Sequence, residues 1–573
     1  MTEALPLLIL LPFTASLFCL LARLFRRPLL ARIVAAVSVA GSLLILGLLL
    51  PVLRNQGAIT YSMGGWLEPL GIALYLDALA WTTSVMGTVV GLCALLFAFG
   101  EGRYRSDFFF FFLMLLAGME GVILTVDLFN LFVFIEIVSI ASYILIAYFL
   151  NANSLWAALR YLLLSSLSVA VFLLGLFLVY QATGTFSLRL IAANLSGGAG
   201  LQTARVPETA QILALAAAAL TVGIGLKAAF VPLHTWLPEA HAVAPHPVSA
   251  LLSGVMIKIS FLAVWRILSA FAATGMQALF RWLGPATALL AVILALSQTD
   301  SKRLLAFHSV SQMGLIAAAF GAASQAGTSA LIASLAHILS HSLFKSLLFL
   351  SVGSLIHLTG ERNLERYDRS NPRPWLLAFF AVGALSISGL PPFNGFVSKT
   401  LVSSLFKTSP LLATALRLTA VGTAASMIKL SGMFRWSRKS GNTSISAHTP
   451  AGNLRMSPWC ICALSLLALL CLAGGLAPRF MTEMVIAPAV GAARSSPQSI
   501  YTTRHLAEAA ATAAVGGMLY LLVRTSFVRR MLKMLRGLRL SLDSALLLVV
   551  VAVLLFAAAG GVFGGFLRGA LGF

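Results

Sequence analysis

Charge is scarce in this chain, and negative charge above all: 17 Asp and Glu stand against 39 Lys and Arg in 573 residues, and charged residues of both signs make up only 10% of the whole. A soluble globule of this size needs far more polar surface, so water is excluded as the main solvent. Long polar stretches are missing too. No segment is left for a nucleotide-binding fold or a catalytic head, and neither a redox site nor a cofactor is expected within the chain. Cysteine is rare: Cys19, Cys93, Cys460, Cys462 and Cys471 lie in apolar spans without C-x-x-C spacing. That excludes a disulfide framework and any iron–sulfur or zinc site built on them. The first apolar run, Ala4–Ala22, has arginines behind it and no basic stretch ahead of it, so a retained helix is expected in place of a cleaved signal peptide.

What is abundant is hydrocarbon. Sixty per cent of the residues are hydrophobic, and apolar runs of about twenty residues, enough to cross a ~30 Å hydrocarbon layer as helix, recur throughout. The reading is an all-α polytopic membrane protein of about 16 transmembrane helices. The net charge of +22 does not point to nucleic acid, because the basic residues cluster in short loops. Threading the chain back and forth puts Arg23–Arg32, Glu101–Asp107, Asp300–Arg303, Glu361–Arg373, Arg435–Arg455 and Arg524–Arg539 on one side. By the positive-inside rule that side is cytoplasmic, and both termini then lie outside the cell (inner) membrane. The tail Arg524–Arg539 reads as an amphipathic helix at the interface.

An ionisable group at the bilayer centre costs at least ~2.5–3.5 kcal/mol, so such groups face the protein interior and mark ion or proton routes. Glu136 lies inside the apolar run Asn130–Leu150, too short to snorkel out. Lys227 falls near the end of an apolar helix and five residues before Pro232; Lys258 is about ten residues into the next span. His337, His341 and Lys345 are spaced four apart and line one helix face. Lys399 closes the motif GLPPFNGFVSK at 389–399, where Pro391, Pro392 and Gly395 should break the helix. Such breaks are tolerated at membrane depth only inside protein or beside water. A single intramembrane lysine can merely pair or snorkel; five or more ionisable groups together read as a proton pathway. His234, His241 and His246, by contrast, fall in a Pro-rich stretch, Val231–Pro247, where solvated or capping roles are expected, and their spacing matches no zinc motif.

The interruptions near Pro232 and Pro391–Pro392 lie five spans apart, each with a lysine close by. This suggests two inverted five-helix repeats, each with a broken helix, at 108–270 and 278–432, preceded by an N-terminal three-helix segment (1–107) and followed by C-terminal helices (458–573). Lys227 and Lys399 become counterparts. Glu136 has no acidic counterpart in the second unit, where the stretch around His308 takes its place.

Four segments resemble a known family: GLKAAFVPLHTWLPEA at 225–240, SKRLLAFHSVSQMG at 301–314, HILSHSLFK at 337–345, and GLPPFNGFVSK at 389–399. With the span pattern they are similar to the antiporter-like subunits shared by respiratory complex I, Mrp-type sodium/proton antiporters and membrane-bound hydrogenases, over roughly residues 75–435. The resemblance implies that Glu136 modulates the charge of Lys227, that Lys258 passes the proton across, and that Lys399 leads to the far side. It also implies other membrane subunits as partners in a multisubunit complex. Two departures stand out. Lys399 holds a position that is Glu in some branches, and Phe307-His308 replaces the Tyr-Ser common in complex I subunits and is nearer the hydrogenase type. The sixteen spans exceed the family's fourteen-helix core, and residues 525–542 are too few for a long lateral helix.

Three functions compete. The leading expectation is a proton-translocating membrane subunit of a redox complex of NADH:quinone or hydrogenase type, with H⁺ moving through the midplane Lys, Glu and His residues. The alternative is a subunit of an Mrp-type Na⁺/H⁺ antiporter; a sodium site would call for extra carboxylates, and Glu120 and Asp127 are the candidates. The third is a non-conducting scaffold, against which Glu136, Lys227, Lys258 and Lys399 speak.

Overall fold

The structure is a computed structural model and describes residues 2–195, 207–365, 374–434, 456–490, 500–537 and 541–561. The basic loop Arg435–Arg455 and most of Glu361–Arg373 lie outside the described residues, as do both chain ends.

Two lipid-length helices open the chain, α1 (Leu7–Leu24) and α2 (Pro28–Gln56), followed by a hairpin of β1 (Ala58–Ser62) and β2 (Ala73–Asp77). The strands pair antiparallel from Ala58 opposite Asp77 to Ser62 opposite Ala73. The sequence reading contains no strand, because the hairpin lies between spans and is too short for hydropathy to register. Next come α3 (Ala78–Glu101), α4 (Ser106–Leu124), α5 (Leu128–Ile146), α6 (Ala152–Thr183) and the short α7 (Leu188–Leu195). Side-chain caps fix several starts: Asp77 accepts from the Ala80 amide at 2.7 Å, Asp127 from Asn130 at 2.7 Å and Asn151 from Ser154 at 2.9 Å.

The first broken element follows. Helix α8 (Pro207–Ala228) stops, irregular backbone runs through Pro232, and α9 (Leu237–Val243) resumes. A short α10 (His246–Leu251) leads through a π-helical turn at Leu252–Met256 into α11 (Ile257–Ala270). Helices α12 (Leu279–Ser297) and α13 (Ser301–Gly321) then pack backbone to backbone: a Cβ on Gly284 would lie 2.3 Å from the Ala318 amide nitrogen. Only glycine permits that approach.

After the one-turn α14 (Ala323–Ala326) comes α15 (Thr328–Thr359), then the second broken element, α16 (Pro374–Ser388) and α17 (Asn394–Ser404), split at 389–393. Gly395 touches α16 so closely that a Cβ there would fall 1.8 Å from the Ser386 carbonyl oxygen. The chain ends its described course in α18 (Pro410–Ser431), α19 (Pro458–Leu476), α20 (Ala487–Ala489), α21 (Thr503–Val523), α22 (Ser526–Gly537) and α23 (Leu542–Ala559).

Among the described residues fifteen helical segments are long and apolar enough to cross a membrane, and the pair α16–α17 adds a broken one. Leu155, Trp156, Leu159, Leu162 and Leu163 on α6 are exposed, an outward apolar face that suits hydrocarbon. Among the described residues, the basic loops contact one another and the neighbouring helix ends: Arg23 approaches Asp107 at 3.9 Å, Arg32 donates to the Gly102 carbonyl at 3.5 Å, Arg362 pairs with Asp300 at 2.8 Å, and Arg536 on α22 donates to the Ser297 carbonyl at 2.9 Å. The interior, in contrast, holds Lys227, Lys258, Lys302, His308, His337, His341 and Lys345, all nearly or fully removed from solvent.

Candidate functional site

Three helices and one break build the first centre. Lys227 is on the last turn of α8, and its ammonium donates to Ser139 Oγ on α5 and Ser165 Oγ on α6, both at 2.5 Å. It lies 5.5 Å from the centroid of the Tyr161 ring, which stacks on Trp236 at 4.0 Å. The Trp236 indole donates to the Leu226 carbonyl at 2.7 Å, so the residue that follows the break ties it back to α8. Glu136, one turn before Ser139, is within electrostatic reach of Lys227 but outside ion-pair distance; its buried Oε1 has no hydrogen-bond partner among the described residues. A buried polar oxygen of this kind calls for water or a moving partner. Behind the break, Arg160 on α6 and Glu239 on α9 form an ion pair at 2.7 Å.

The second centre is at the π-helical turn, a local widening often found at functional sites. Lys258 donates to the Ser253 carbonyl within that turn, and Ser253 Oγ meets Ser309 Oγ of α13 at 2.7 Å. Lys345 on α15 donates to the Leu305 carbonyl, while His337 and His341 stack at 6.1 Å along the same helix face. His341 is within electrostatic reach of Lys258, His337, Lys345 and Lys399. The ring nitrogens of His308 and His341 and both amide atoms of Gln312 are buried without a protein partner among the described residues.

The third centre is the second break. His337 Nδ1 meets Ser398 Oγ at 3.0 Å, and Lys399 donates to the Ile387 carbonyl at 2.5 Å, one of the oxygens that the interrupted α16 leaves without an amide. Asn394 Oδ1 accepts from Ser386 at 2.5 Å and its carbonyl from Ser340 at 3.3 Å, locking the break against α15.

Of the seven residues singled out as a pathway, Lys227, Lys258, His337, His341 and Lys345 are buried and Glu136 and Lys399 are half-buried, and His337 and His341 bridge the second and third centres. Of the solvated or capping role expected for His234, His241 and His246, the solvated part does not hold: they are 8%, 0% and 7% exposed. The reason is that the break at Pro232 falls within the helical body, so the stretch after it packs inside. His241 stacks on Phe349 at 5.1 Å, and the Lys345 ammonium lies 5.3 Å from the centroid of the same ring.

Sequence reasoning also missed Glu101, placed there in a surface loop. Its side chain is only 2% exposed; it pairs with Arg103 at 3.2 Å and faces His246 Nε2 at 3.9 Å and His357 Nδ1 at 3.8 Å. Tyr104, in the loop, donates to the same carboxylate; burial first, and then the charge of Glu101, pushes its phenol well above the ordinary range. Beside this cluster, buried Lys302 donates to the Ala244 carbonyl at 2.5 Å. No pattern in the sequence marks Glu101 apart from its position at a helix end, since the two histidines it faces come from α10 and α15. Of the two carboxylates considered for sodium, Asp127 caps α5, and Glu120 accepts from Ser84 at 2.6 Å and Thr88 at 3.3 Å. Among the described residues no three His, Cys, Asp or Glu side chains converge as metal ligands.

The family profile described as NADH:quinone oxidoreductase/Mrp antiporter, TM, matches residues 125–424, a stretch that contains all three centres above. The chain belongs to this family. It is a polytopic membrane protein of the antiporter-like class. It is 36% identical over 350 residues to NADH-quinone oxidoreductase subunit N of Desulforudis audaxviator, covering 59% of this chain and 67% of that one. To a Na⁺/H⁺ antiporter subunit of Alkalihalophilus pseudofirmus it is 31% identical over 436 residues, 74% of this chain and 85% of that one. A chain in the structure of an Mrp complex from a Dietzia species shares the fold, with a TM-score of 0.75 over 88% of this chain and 99% of that one at 23% identity.

Proposed function

We propose that this chain is a proton-conducting subunit of an Mrp-type multisubunit Na⁺/H⁺ antiporter in the cell inner membrane, carrying H⁺ through its buried Lys, Glu and His residues. The observation that carries the reading is the run of buried ionisable groups from Glu101 at the basic-loop end, past Lys302 and His241, to Lys258, Lys345, His341, His337 and Lys399 at the second break. Imidazole accepts and donates near neutral pH, and buried ring nitrogens without protein partners are where internal water bridges the steps. Lys227 and Glu136 form the coupled pair: when the ammonium leaves Ser139 and Ser165 for the carboxylate, the charge seen by the rest of the run changes.

In this reading residues 108–270 and 278–432 are two inverted repeats. The opposite approach of α8 and α16 to their breaks supports it: α16 starts from the basic-loop end and α8 from the other. The basic-loop end is cytoplasmic and both termini are outside, with other membrane subunits against the exposed apolar faces.

The length of the match to the Alkalihalophilus antiporter protein favours this function over a redox complex. The identity to NADH-quinone oxidoreductase subunit N supports the second reading, a proton-pumping subunit powered by electron transfer in a neighbour. The test is proton movement in vesicles bearing the intact complex, native against Lys227→Ala and Glu136→Ala at matched assembly. Sodium addition should collapse an imposed pH gradient in the native vesicles and fail to do so in both variants. A gradient formed only on oxidation of an electron donor transfers the assignment to the redox complex, and undiminished exchange in both variants leaves a structural role for the midplane charges.

A further inference from the structure

A side cavity of about 570 Å³ opens between α17, α18 and α21. Its lining combines four cations, Lys399, Lys407, Arg417 and Arg504, with one carboxylate, Glu508, and an apolar wall that includes Leu416, Val421 and Val515. The carboxylate is already engaged, since Arg504 Nε donates to Glu508 at 3.0 Å. Arg417 is the anomaly. It is exposed on a helix long and apolar enough to cross the membrane, seven residues past its first residue Pro410, or about 10 Å along the axis at 1.5 Å per residue. Among the described residues no carboxylate lies within 4.0 Å of it.

An arginine exposed at that depth carries a cost unless an anion reaches it. Helical side chains lean toward the helix N-terminus, which for α18 is the end that carries Lys407, with Arg504 on the opening turn of α21. Lys407 stands just before α18 and Arg504 on the first turn of α21, so both flank the end of the cavity toward which Arg417 leans. A free inorganic anion would satisfy these cations and leave the wall bare. A membrane lipid with a negatively charged headgroup matches both parts.

We infer that this cavity binds one anionic phospholipid, its phosphate held by Arg417, Lys407 and Arg504 and an acyl chain lying along Leu416, Val421 and Val515. The assignment does not depend on which ion the protein conducts. The intact complex, reconstituted in nanodiscs of phosphatidylcholine with a minor share of phosphatidylglycerol, is released for native mass spectrometry beside an Arg417→Gln/Arg504→Gln double variant. A Val515→Trp variant fills the wall and leaves the cations in place. The native protein should retain phosphatidylglycerol, both variants should lose it at least tenfold, and millimolar inorganic phosphate should not displace it. Equal retention by all three proteins overturns the site. So does displacement by inorganic phosphate, or a crosslink from Arg417 to an acidic residue of a neighbouring subunit with no lipid retained.

Discussion

Replacing Lys227 by arginine separates a proton carrier from a fixed charge. Arginine keeps the positive charge and can donate to Ser139 and Ser165, which hold the lysine at 2.5 Å each, so a purely structural counter-charge would survive the change. What arginine cannot do is let go of its proton: its ordinary pKa is about 2–3 units above that of lysine. The deprotonated population at the site then falls by about 10²–10³, and transport through it should fall by a similar factor at matched assembly. Lys227→Met removes the charge but keeps most of the stem. It loses two hydrogen bonds from a charged donor, each about 1.5–3 kcal/mol, but it also relieves the burial of an ammonium, several kcal/mol the other way. Ser139 keeps its bond to the Ile135 carbonyl at 2.6 Å, so the folded protein should change little in thermal stability. The assay is dye-quenching of proton movement in vesicles, with complex content matched by native gel. Lys227→Arg working at more than half the native rate would refute the carrier role and leave the lysine a fixed charge.

The other predictions follow from single contacts. Gly395→Ala should prevent assembly, because the added Cβ meets the Ser386 carbonyl at 1.8 Å; overpacking of this kind costs about 1–3 kcal/mol or more, read as loss of the band on a native gel, and a normal band would show that the break relaxes. Glu101→Gln removes the negative charge facing His246 and His357 and should slow proton uptake several-fold while the complex still assembles, measured by the initial rate of dye quenching. Glu239→Ala takes away the ion-pair partner of buried Arg160 and should destabilise the purified complex, toward the low end of about 3–5 kcal/mol because Glu239 is partly exposed, seen as a lower midpoint in a detergent melt.

Hydropathy alone was enough for the membrane class and for the long apolar helices that the described residues contain, because the cost of charge in hydrocarbon is local and shows in every window of twenty residues. The same cost singled out Glu136, Lys227, Lys258, His337, His341, Lys345 and Lys399: each interrupts an apolar run. The breaks at Pro232 and Pro391–Pro392 were legible because proline removes an amide wherever it stands.

Tertiary structure decided what packing across distant segments controls. Glu101 is buried by histidines 145 and 256 positions further along the chain (246 − 101 and 357 − 101), and no local pattern contains that meeting. His241 and His246 look like loop residues until α13 and α15 close over them. The Ser139–Lys227–Ser165 contact joins three helices, and hydroxyls are so common in membrane helices that none stands out in sequence. Arg417 reads as an ordinary helix residue until, among the described residues, no carboxylate turns out to lie within 4.0 Å of it.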